Sequence, residues 1–276
     1  MEEPLAAALA VAADHGLPVG EPRVLRDLTN VLVHLSPAPV VARVPVTLAR
    51  LRPPSWFAGE VELARFLADR GAPVAPPATE VDAGPHEHGG RLVTFWRHVD
   101  HDPSRFDPTH AGHALRELHG ALTDWRGTLP TCDRLAELDA LLERLTPSPF
   151  VSRDELDGLR ERHASLGAGG PVEGRPLHGD SHFRNILWSP EGPLWTDLEN
   201  ACTGPVEYDL ACITWRGDPG TPAALSAYGP FDEGRLMRLE PYLALFLACW
   251  TLVVVERTTQ PEAHTEARRR VARALS

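Results

Sequence analysis

The chain contains His178-Gly179-Asp180-Ser181-His182-Phe183-Arg184-Asn185 and, a little further on, Asp197-Leu198-Glu199. Written as a pattern, the two segments are HxDxxxxN followed by D. Two short apolar runs between them, Asn185 to Trp188 and Leu194 to Thr196, predict a small hairpin. The sequence around them has helical periodicity, and a loop with a hairpin inserted among helices usually forms a functional site.

The residue types in this pattern suit phosphoryl transfer. That reaction needs a carboxylate that orients and deprotonates the attacking hydroxyl, and oxygen ligands that hold magnesium on a nucleoside triphosphate. Asp180 would accept the proton, while Asn185 and Asp197 would converge on the metal ions. The alternative is a polar loop that has the pattern by chance and no catalytic role. Chance would then also have to produce the order of strands and helices on either side.

Upstream of the pattern, the sequence predicts a sheet with one packed helix. Glu60 to Arg70 carries an apolar helical stripe that ends at Gly71. After an N-terminal helix, apolar runs bounded by turn residues predict strands at Val19 to Leu25, Val31 to Leu35, Val40 to Val44, Thr79 to Val81 and Arg91 to Arg97. The polar, glycine-rich Asp82 to Gly90 is predicted to be a loop between the last two strands.

Downstream of about residue 98 the periodicity is helical. Apolar residues from Ala111 to Leu122 mark one face of a helix that follows Asp107, and amphipathic stretches follow at 133–146 and 153–166. Helices resume near Glu207, after the hairpin. We therefore predict an α+β fold with two lobes: an N-terminal lobe of antiparallel sheet, residues 1–97, and a larger, mainly helical lobe, residues 98–276.

The composition indicates a globular protein in a reducing, cytoplasmic setting. Of the 276 residues, 43% are hydrophobic and 24% are charged, which allows a substantial core. Four cysteines without a CxxC pair indicate neither a disulfide framework nor a zinc site. The acidic first residues indicate no export signal, and the apolar run Tyr242 to Val255 is shorter than the ~20 residues of a membrane helix, so no membrane partner is expected.

Charge narrows the possible partners. The formal net charge of -11 argues against a nucleic-acid-binding surface and permits a cationic small molecule. All 27 basic residues are arginine, so no lysine is present for any role in which a lysine would be expected.

Through HGDSHFRNILW (178–188), TDLENACTGPVEYDLA (196–211) and the order of its lobes, the chain resembles the aminoglycoside phosphotransferase family, which is related in fold to protein kinases and choline kinases. The resemblance implies a bilobal protein-kinase-like fold, ATP or GTP as co-substrate and Mg²⁺ as cofactor. It implies that Asp180 is the catalytic base, that Asn185 and Asp197 are magnesium ligands, and that Asp209 braces the catalytic loop. His178 is expected to hold that loop by hydrogen bonds, and His182 either contacts substrate or lies on the surface.

The resemblance also implies that residues 1–97 bind the nucleotide. Arg43 takes the place of the basic clamp on the third strand, where a lysine is usual, and Glu60 takes the place of its acidic partner. We interpret Arg43 as an adapted clamp because the chain has no lysine. The alternatives are a solvent-facing position for Arg43 and Glu62 as the partner in the ion pair.

Two further segments are implied to contact the nucleotide. The linker Thr94-Phe95-Trp96-Arg97-His98 matches the segment between the lobes whose backbone groups bind the base in such kinases. The loop between the first two strands, Arg26 to Asn30, contains no glycine, which makes close approach of its backbone to phosphates less favourable. Asn30 and Thr29 are expected to contact the nucleotide instead.

The acceptor is the part that the pattern leaves open. The first candidate is an aminoglycoside or related antibiotic, because acidic residues in the acceptor region would suit a polyamine sugar: Glu199, Glu207, Asp218, Asp232 and Glu233. A sugar, an amino alcohol or a nucleoside-like metabolite is the alternative acceptor. The alternative from another functional class is a kinase-like module that binds its ligand without catalysis. The missing glycines and Arg43 would suggest such a module.

Overall fold

The computed structural model describes residues 2–47, 49, 52–132, 135–166, 174–255 and 261–276. The helices are α1 (Glu2–Asp14), α2 (Pro54–Ala68), α3 (Pro108–Leu122), α4 (Leu135–Arg144), α5 (Arg153–Leu166), α6 (Val206–Trp215), α7 (Thr221–Tyr228), α8 (Glu233–Val255) and α9 (Pro261–Leu275). The strands are β1 (Arg23–Asp27), β2 (Asn30–His34), β3 (Val40–Pro45), β4 (His86–His88), β5 (Arg91–Arg97), β6 (Arg175–Leu177), β7 (Ile186–Ser189), β8 (Gly192–Trp195) and β9 (Cys202–Gly204). An N-terminal sheet followed by mainly helical sequence confirms the predicted α+β class.

The N-terminal sheet has two faces with different tasks. Its strands are antiparallel and lie in the order β1-β2-β3-β5-β4. Because side chains alternate along a strand, one face carries small and branched apolar residues that are buried against α1, namely Val31, Val33, Ala42, Val44 and Phe95. The intervening residues belong to the other face, where Arg43 pairs in register with Leu32 and Thr94. This second face is free to form a site.

Several predicted boundaries differ from the structure. The predicted strand at Thr79 to Val81 is wrong: the Thr79 N–H donates to the Glu80 carboxylate at 3.1 Å, and β5 pairs with β4 in the segment predicted to be a loop. The first strand begins at Arg23 instead of Val19. Helix α2 begins at Pro54, six residues before the predicted start, because proline is well tolerated in the first turn. Residues 133 and 134 of the predicted 133–146 helix lie outside the described residues.

The chain divides into two compact units. Unit 1 comprises Met1–Arg126, Phe183–Asn200 and Pro222–Tyr228, and it holds the five-stranded sheet, α1 to α3 and the β7–β8 hairpin. Unit 2 comprises Gly127–His182, Ala201–Thr221 and Gly229–Ser276, and it holds α4 to α6, α8, α9 and the β6–β9 pair. The predicted division into lobes of residues 1–97 and 98–276 stays a prediction.

Helix α8 is the one described helix that is long and apolar enough to cross a membrane, judged by length and composition alone. It exceeds the apolar run Tyr242 to Val255 because it begins at Glu233 and continues through Pro241. Half of its most apolar window is buried, and it packs on α6 and α9 within unit 2. A core helix of a soluble protein has the same properties, so α8 is weak evidence for a membrane span.

Candidate active site

Asp209 fixes the loop that carries Asp180, and both residues belong to unit 2. The fully buried Asp209 carboxylate accepts backbone N–H bonds from His178 and Gly179, each 2.8 Å long. The Ser181 hydroxyl donates to the Asp209 carbonyl at 2.7 Å. Gly179 has a φ of 82°, which residues with a Cβ rarely adopt. Asp209 therefore binds the backbone before Asp180 through its carboxylate and the side chain after it through its carbonyl.

Asp180 lies between two histidines. Its N–H donates to Nδ1 of the fully buried His178 at 3.2 Å, so His178 shapes the loop by hydrogen bonding. Asp180 Oδ1 lies 3.6 Å from Nε2 of His182, so His182 belongs to the immediate surroundings of the carboxylate. The Asp180 side chain keeps 26% of its accessible surface. A small molecule can therefore reach a carboxylate whose backbone is held in place.

A cavity of about 300 Å³ lies wholly within unit 1. The second face of the sheet and the β7–β8 hairpin supply its apolar walls, which are Leu32, Val41, Trp96, Leu187 and Trp195. Its polar walls include Asn30, Arg43 and Asp197. Apolar walls with a few polar groups are typical of pockets that bind a small ligand with an aromatic part.

Arg43 is buried in this wall and makes several ion pairs. Its Nη1 lies 2.6 Å from Glu60 Oε1 of α2, so the predicted pair is formed and Glu62, which is exposed, does not compete for it. Its Nη2 contacts Glu199 Oε2 and lies 3.3 Å from Asp197 Oδ1. Arg43 is 6% exposed, which rules out the solvent-facing alternative.

The ion pairs keep the Arg43 guanidinium charged. Burial alone would lower the pKa of Arg43, but the carboxylates of Glu60 and Asp197 outweigh burial and raise it. Burial raises the pKa of Glu60 against the pull of Arg43 and Arg52, and the nearby Asp197 carboxylate adds to the rise. The wall of the cavity carries four arginines, Arg26, Arg43, Arg97 and Arg184, and one acidic residue, Asp197.

Asn185 and Asp197 lie at the same end of the β7–β8 hairpin. The Thr196 N–H donates to the Asn185 carbonyl at 2.8 Å, which brings the two ends of the hairpin together. Asn185 is buried, and Asp197 has a φ of 68°, the only positive φ among the described residues other than glycine. Such backbone strain is common at functional sites.

These oxygen groups fit a magnesium ion. Asp197 Oδ1 is buried and lies 3.3 Å from Arg43 Nη2, and a carboxylate oxygen is a ligand that a hard cation prefers. Within the described residues no cluster of three or more His, Cys, Asp or Glu could hold a metal by itself. Magnesium at kinase sites uses one or two protein carboxylates together with substrate phosphates, so a small protein ligand set is consistent with its binding.

The linker predicted to bind the base contributes unevenly to the cavity. Trp96, Arg97 and His98 line the cavity, whereas Thr94 and Phe95 are buried in β5. The N–H groups of Arg97 and His98 already donate to carbonyls of Pro76 and Pro39, at 3.1 and 2.8 Å. If these two N–H groups are to bind the nucleotide base, they must first leave the carbonyls of Pro76 and Pro39.

His98 also has a defined environment. Its ring stacks on His34, with centroids 3.9 Å apart and an interplanar angle of 13°. Burial and the neighbouring His34 lower the pKa of His98, so its ring stays neutral at neutral pH. The stacked rings of His34 and His98 therefore form a flat surface at the edge of the cavity.

The glycine-free loop is held by its own backbone. The Leu28 N–H donates to the Asn30 carbonyl at 3.2 Å, and the Thr29 carbonyl accepts from Val46 and Thr47 at 3.0 and 3.1 Å. Asn30 lines the cavity and is 5% exposed, while its Oδ1 accepts no hydrogen bond. The structure thus places the Asn30 side chain at the cavity and fixes Thr29 through its carbonyl.

A sequence model described as the phosphotransferase enzyme family matches residues 24–242, which is most of the chain. The chain belongs to the phosphotransferase enzyme family. This match confirms the predicted enzyme class, a phosphotransferase. Among curated proteins, this phosphotransferase is 31% identical over 93 residues to Stress response kinase A of Escherichia coli (strain K12). The aligned part is 31% of this chain and spans only 28% of that kinase.

Solved structures of other kinases share the fold. An amicoumacin kinase in complex with AMP-PNP, Ca²⁺ and Ami has a TM-score of 0.71 and 12% identity, covering 97% of this chain and 92% of that one. Choline kinase LicA from Streptococcus pneumoniae has a TM-score of 0.67 and 16% identity, covering 97% and 98%. The GDP complex of aminoglycoside 2'-phosphotransferase-IIIa has a TM-score of 0.62 and 14% identity, covering 96% of each chain. These likenesses confirm the kinase-like fold of the phosphotransferase.

Sequence reasoning missed Arg52 and Trp56, and it did not place Glu199 beside Arg43. The Glu199 carbonyl accepts hydrogen bonds from Arg52 Nη1 and Trp56 Nε1, each 2.7 Å long, and the Arg52 guanidinium also lies over the Trp56 ring. The Glu199 side chain binds Arg43, so Glu199 belongs to the ion-pair cluster around Arg43, a contact that the sequence did not predict. Its position two residues after Asp197 was the one available signal.

Two other acids of the expected acceptor region have structural partners. Glu207 Oε1 accepts from the Asp232 N–H at 2.9 Å, and Glu207 Oε2 lies 3.7 Å from Arg235. Asp232 accepts from the Arg235 N–H at 2.9 Å at the start of α8, and this hydrogen bond lowers its pKa. These contacts give the carboxylates of Glu207 and Asp232 a structural role that does not require a cationic acceptor.

Proposed function

We propose that this phosphotransferase moves the terminal phosphoryl group of ATP or GTP to a hydroxyl of a small molecule. The observation that carries the proposal is the loop braced by Asp209, which holds Asp180 as a reachable carboxylate. The cavity in unit 1, with its apolar walls and buried Arg43–Glu60 pair, supports a nucleotide as donor. The nucleotides in the solved relatives, AMP-PNP and GDP, support it as well.

In the proposed reaction Asp180 accepts the proton of the acceptor hydroxyl. The hydroxyl oxygen forms a bond to the γ-phosphorus, and the bond between that phosphorus and the β–γ bridging oxygen breaks, which releases the nucleoside diphosphate. Arg43, oriented by Glu60, binds the phosphates, and the segment Trp96 to His98 contacts the base.

Asn185 and Asp197 would hold Mg²⁺ in this proposal. The ion, when bound, neutralises charge on the transferring phosphates. The buried carboxylate oxygen Asp197 Oδ1 and the closed end of the hairpin support this assignment. Asn30 would contact the nucleotide from the loop between β1 and β2.

We propose a hydroxyl acceptor that carries an amine, with an aminoglycoside or related antibiotic as the first candidate and resistance as its consequence. The net charge of -11 and the names of the solved relatives support a cationic acceptor. A sugar, an amino alcohol or a nucleoside-like metabolite remains the alternative. Glu207 and Asp232 already have partners within the protein, so their negative charges give less support to a cationic acceptor. The acceptor therefore has to be identified by assay.

We also propose a cytoplasmic location. All four cysteines are buried and free, which is typical of proteins in a reducing compartment.

The test is nucleotide turnover with Mg²⁺ against a panel of aminoglycosides, amino alcohols, neutral sugars and nucleosides. Asp180→Asn should lower the rate at least a hundredfold while nucleotide binding persists, because the amide cannot accept the proton. Asp124→Asn, which changes an exposed aspartate, is the matched control and should keep the wild-type rate. Nucleotide binding without turnover on any acceptor, equal in wild type and Asp180→Asn, would instead favour a silent module.

A further inference from the structure

Three of the four arginines in the wall of the unit 1 cavity are available to a ligand. Both Nη atoms of Arg43 are engaged by carboxylates, Nη1 by Glu60 at 2.6 Å and Nη2 by Glu199. Within the part of the chain that the structure describes, the guanidinium groups of the other three form neither a hydrogen bond nor an ion pair; these are Arg26, Arg97 and Arg184. All three side chains are exposed. The cavity therefore offers a polyanion basic groups that it can bind without breaking an ion pair of the protein.

Two of these arginines belong to the N-terminal sheet. Arg97 ends β5, next to His98 in the segment proposed to contact the base, and it also lines a second cavity of unit 1, of about 810 Å³. Arg26 lies on β1, an edge strand, where it pairs in register with Leu32 of β2. The third arginine, Arg184, comes from a different element.

Arg184 lies at the end of the β7–β8 hairpin that carries the proposed magnesium ligands. It directly precedes Asn185, whose carbonyl accepts at 2.8 Å from the N–H of the residue before Asp197. Its neighbours in the turn, Phe183 and Asn185, are both buried, and the Phe183 ring meets the Phe106 ring edge-on with centroids 5.2 Å apart. The turn is therefore held on both sides of Arg184, while the Arg184 side chain is exposed and lines the cavity.

An available guanidinium at this position suits the terminal phosphate of a nucleotide. Magnesium at kinase sites bridges the phosphates, so the phosphate chain has to reach the hairpin end that carries Asn185 and Asp197. The proposed base, Asp180, lies four residues before Arg184 in the same segment. A guanidinium donates two parallel N–H bonds to phosphate oxygens. Arg184 would donate to non-bridging oxygens of the γ-phosphoryl group and keep its own protons, while the bond to the β–γ bridging oxygen breaks and the bond to the acceptor oxygen forms.

We propose that Arg184 binds the terminal phosphate of the nucleotide, in addition to the phosphate contacts of the Arg43 clamp. This inference rests on the proposed function, since it concerns the same reaction. It assigns recognition of the γ-phosphate to one residue, and it therefore distinguishes Arg184 from Arg26 and Arg97, which carry the same charge in the same cavity.

The experiment is a calorimetric titration of the full chain with ADP and AMP-PNP and, in parallel, with GDP and GMP-PNP, all in excess MgCl₂. For the base that wild type binds more tightly, the quantity compared is the dissociation constant of the diphosphate divided by that of the triphosphate analogue. Arg184→Gln should lower this ratio by about tenfold or more, chiefly by weakening binding of the analogue, because a charge-assisted hydrogen bond is lost. Arg26→Gln and Arg97→Gln remove the same charge from the same cavity and should each change the ratio by less than threefold.

The outcomes separate this inference from the proposed function. If wild type binds the analogue and Arg184→Gln lowers the ratio by less than tenfold, Arg184 does not bind the terminal phosphate, and the proposed function is unaffected. A threefold or larger fall in Arg26→Gln or Arg97→Gln would overturn the assignment to Arg184, because the charge of the whole cavity would then recognise the γ-phosphate. No nucleotide binding by wild type would overturn the proposed function and this inference together.

Discussion

Asp209→Asn should destabilise the fold through two hydrogen bonds. The carboxylate accepts from His178 and Gly179 at 2.8 Å and is fully buried, so no water replaces a lost bond. In the variant, the amide NH₂ faces one of the two N–H donors, so that hydrogen bond is lost. The other hydrogen bond remains, but its acceptor is no longer charged. Hydrogen bonds to charged groups contribute about 1.5–3 kcal/mol each, so the free energy of unfolding should fall by about 3 kcal/mol.

Urea unfolding followed by circular dichroism measures this change, from midpoint and slope together. Asp124→Asn makes the same chemical change at an exposed residue and should stay within about 0.5 kcal/mol of wild type. Phosphoryl transfer should fall in Asp209→Asn even where the variant is folded, because the backbone around Asp180 loses its anchor. If the Asp209→Asn protein is as stable as the Asp124→Asn control, the Asp209 carboxylate does not stabilise the loop that carries Asp180.

Three further predictions follow from packing and charge. Burial alone would raise the pKa of Glu266, but hydrogen bonds from Arg269 and Arg270 lower it to about 2, so Glu266 should contribute about 1 kcal/mol, after allowance for solvent screening, at pH above about 4.5. That contribution is lost as pH falls towards 2, and the stability difference between wild type and Glu266→Gln should shrink over this range in urea titrations. A Cβ on Gly112 would meet the Ala224 carbonyl, whereas one on Gly120 of the same helix meets no atom within 4 Å. Gly112→Ala should therefore lower the free energy of unfolding by about 2 kcal/mol, and Gly120→Ala should not; equal melting temperatures would contradict this. A thiol reagent should modify the native protein slowly and the urea-unfolded protein at four sites per chain, since burial protects every cysteine and raises the pKa of Cys249 to about 12.

The local sequence pattern correctly predicted those strands and helices that have a continuous apolar face. Strand β5 and helix α5 appear where the sequence placed them, because alternation and helical periodicity record burial on one side. Strand β4 was missed because His86-Glu87-His88 is short and polar, and its pairing depends on β5 as a partner. The start of α2 was missed because Pro53-Pro54 suggests a break, although Pro54 fits a first turn.

The candidate site shows the same limit. The segment from His178 to Asn185 places several chemical groups within eight residues, and a pattern of that density can be recognised in one sequence. The Arg43–Glu60 pair needed the resemblance to a family, since its members lie 17 residues apart. The contacts of Arg52, Trp56 and Arg43 with Glu199 join residues 143 to 156 positions apart. No local periodicity records such contacts, and only the packed structure reveals them.

The arginine at position 43 and the carboxylate at position 199 explain each other. A lysine at the clamp would offer one ammonium, a compact charge that Glu60 alone could balance. An arginine offers two Nη atoms in a rigid plane, and when Nη1 binds Glu60, Nη2 is left pointing elsewhere in a buried wall. A buried donor without an acceptor is costly, and Glu199 and Asp197 remove that cost in the protein without nucleotide. In a chain without lysine, buried acceptors for both Nη atoms therefore accompany the arginine at position 43.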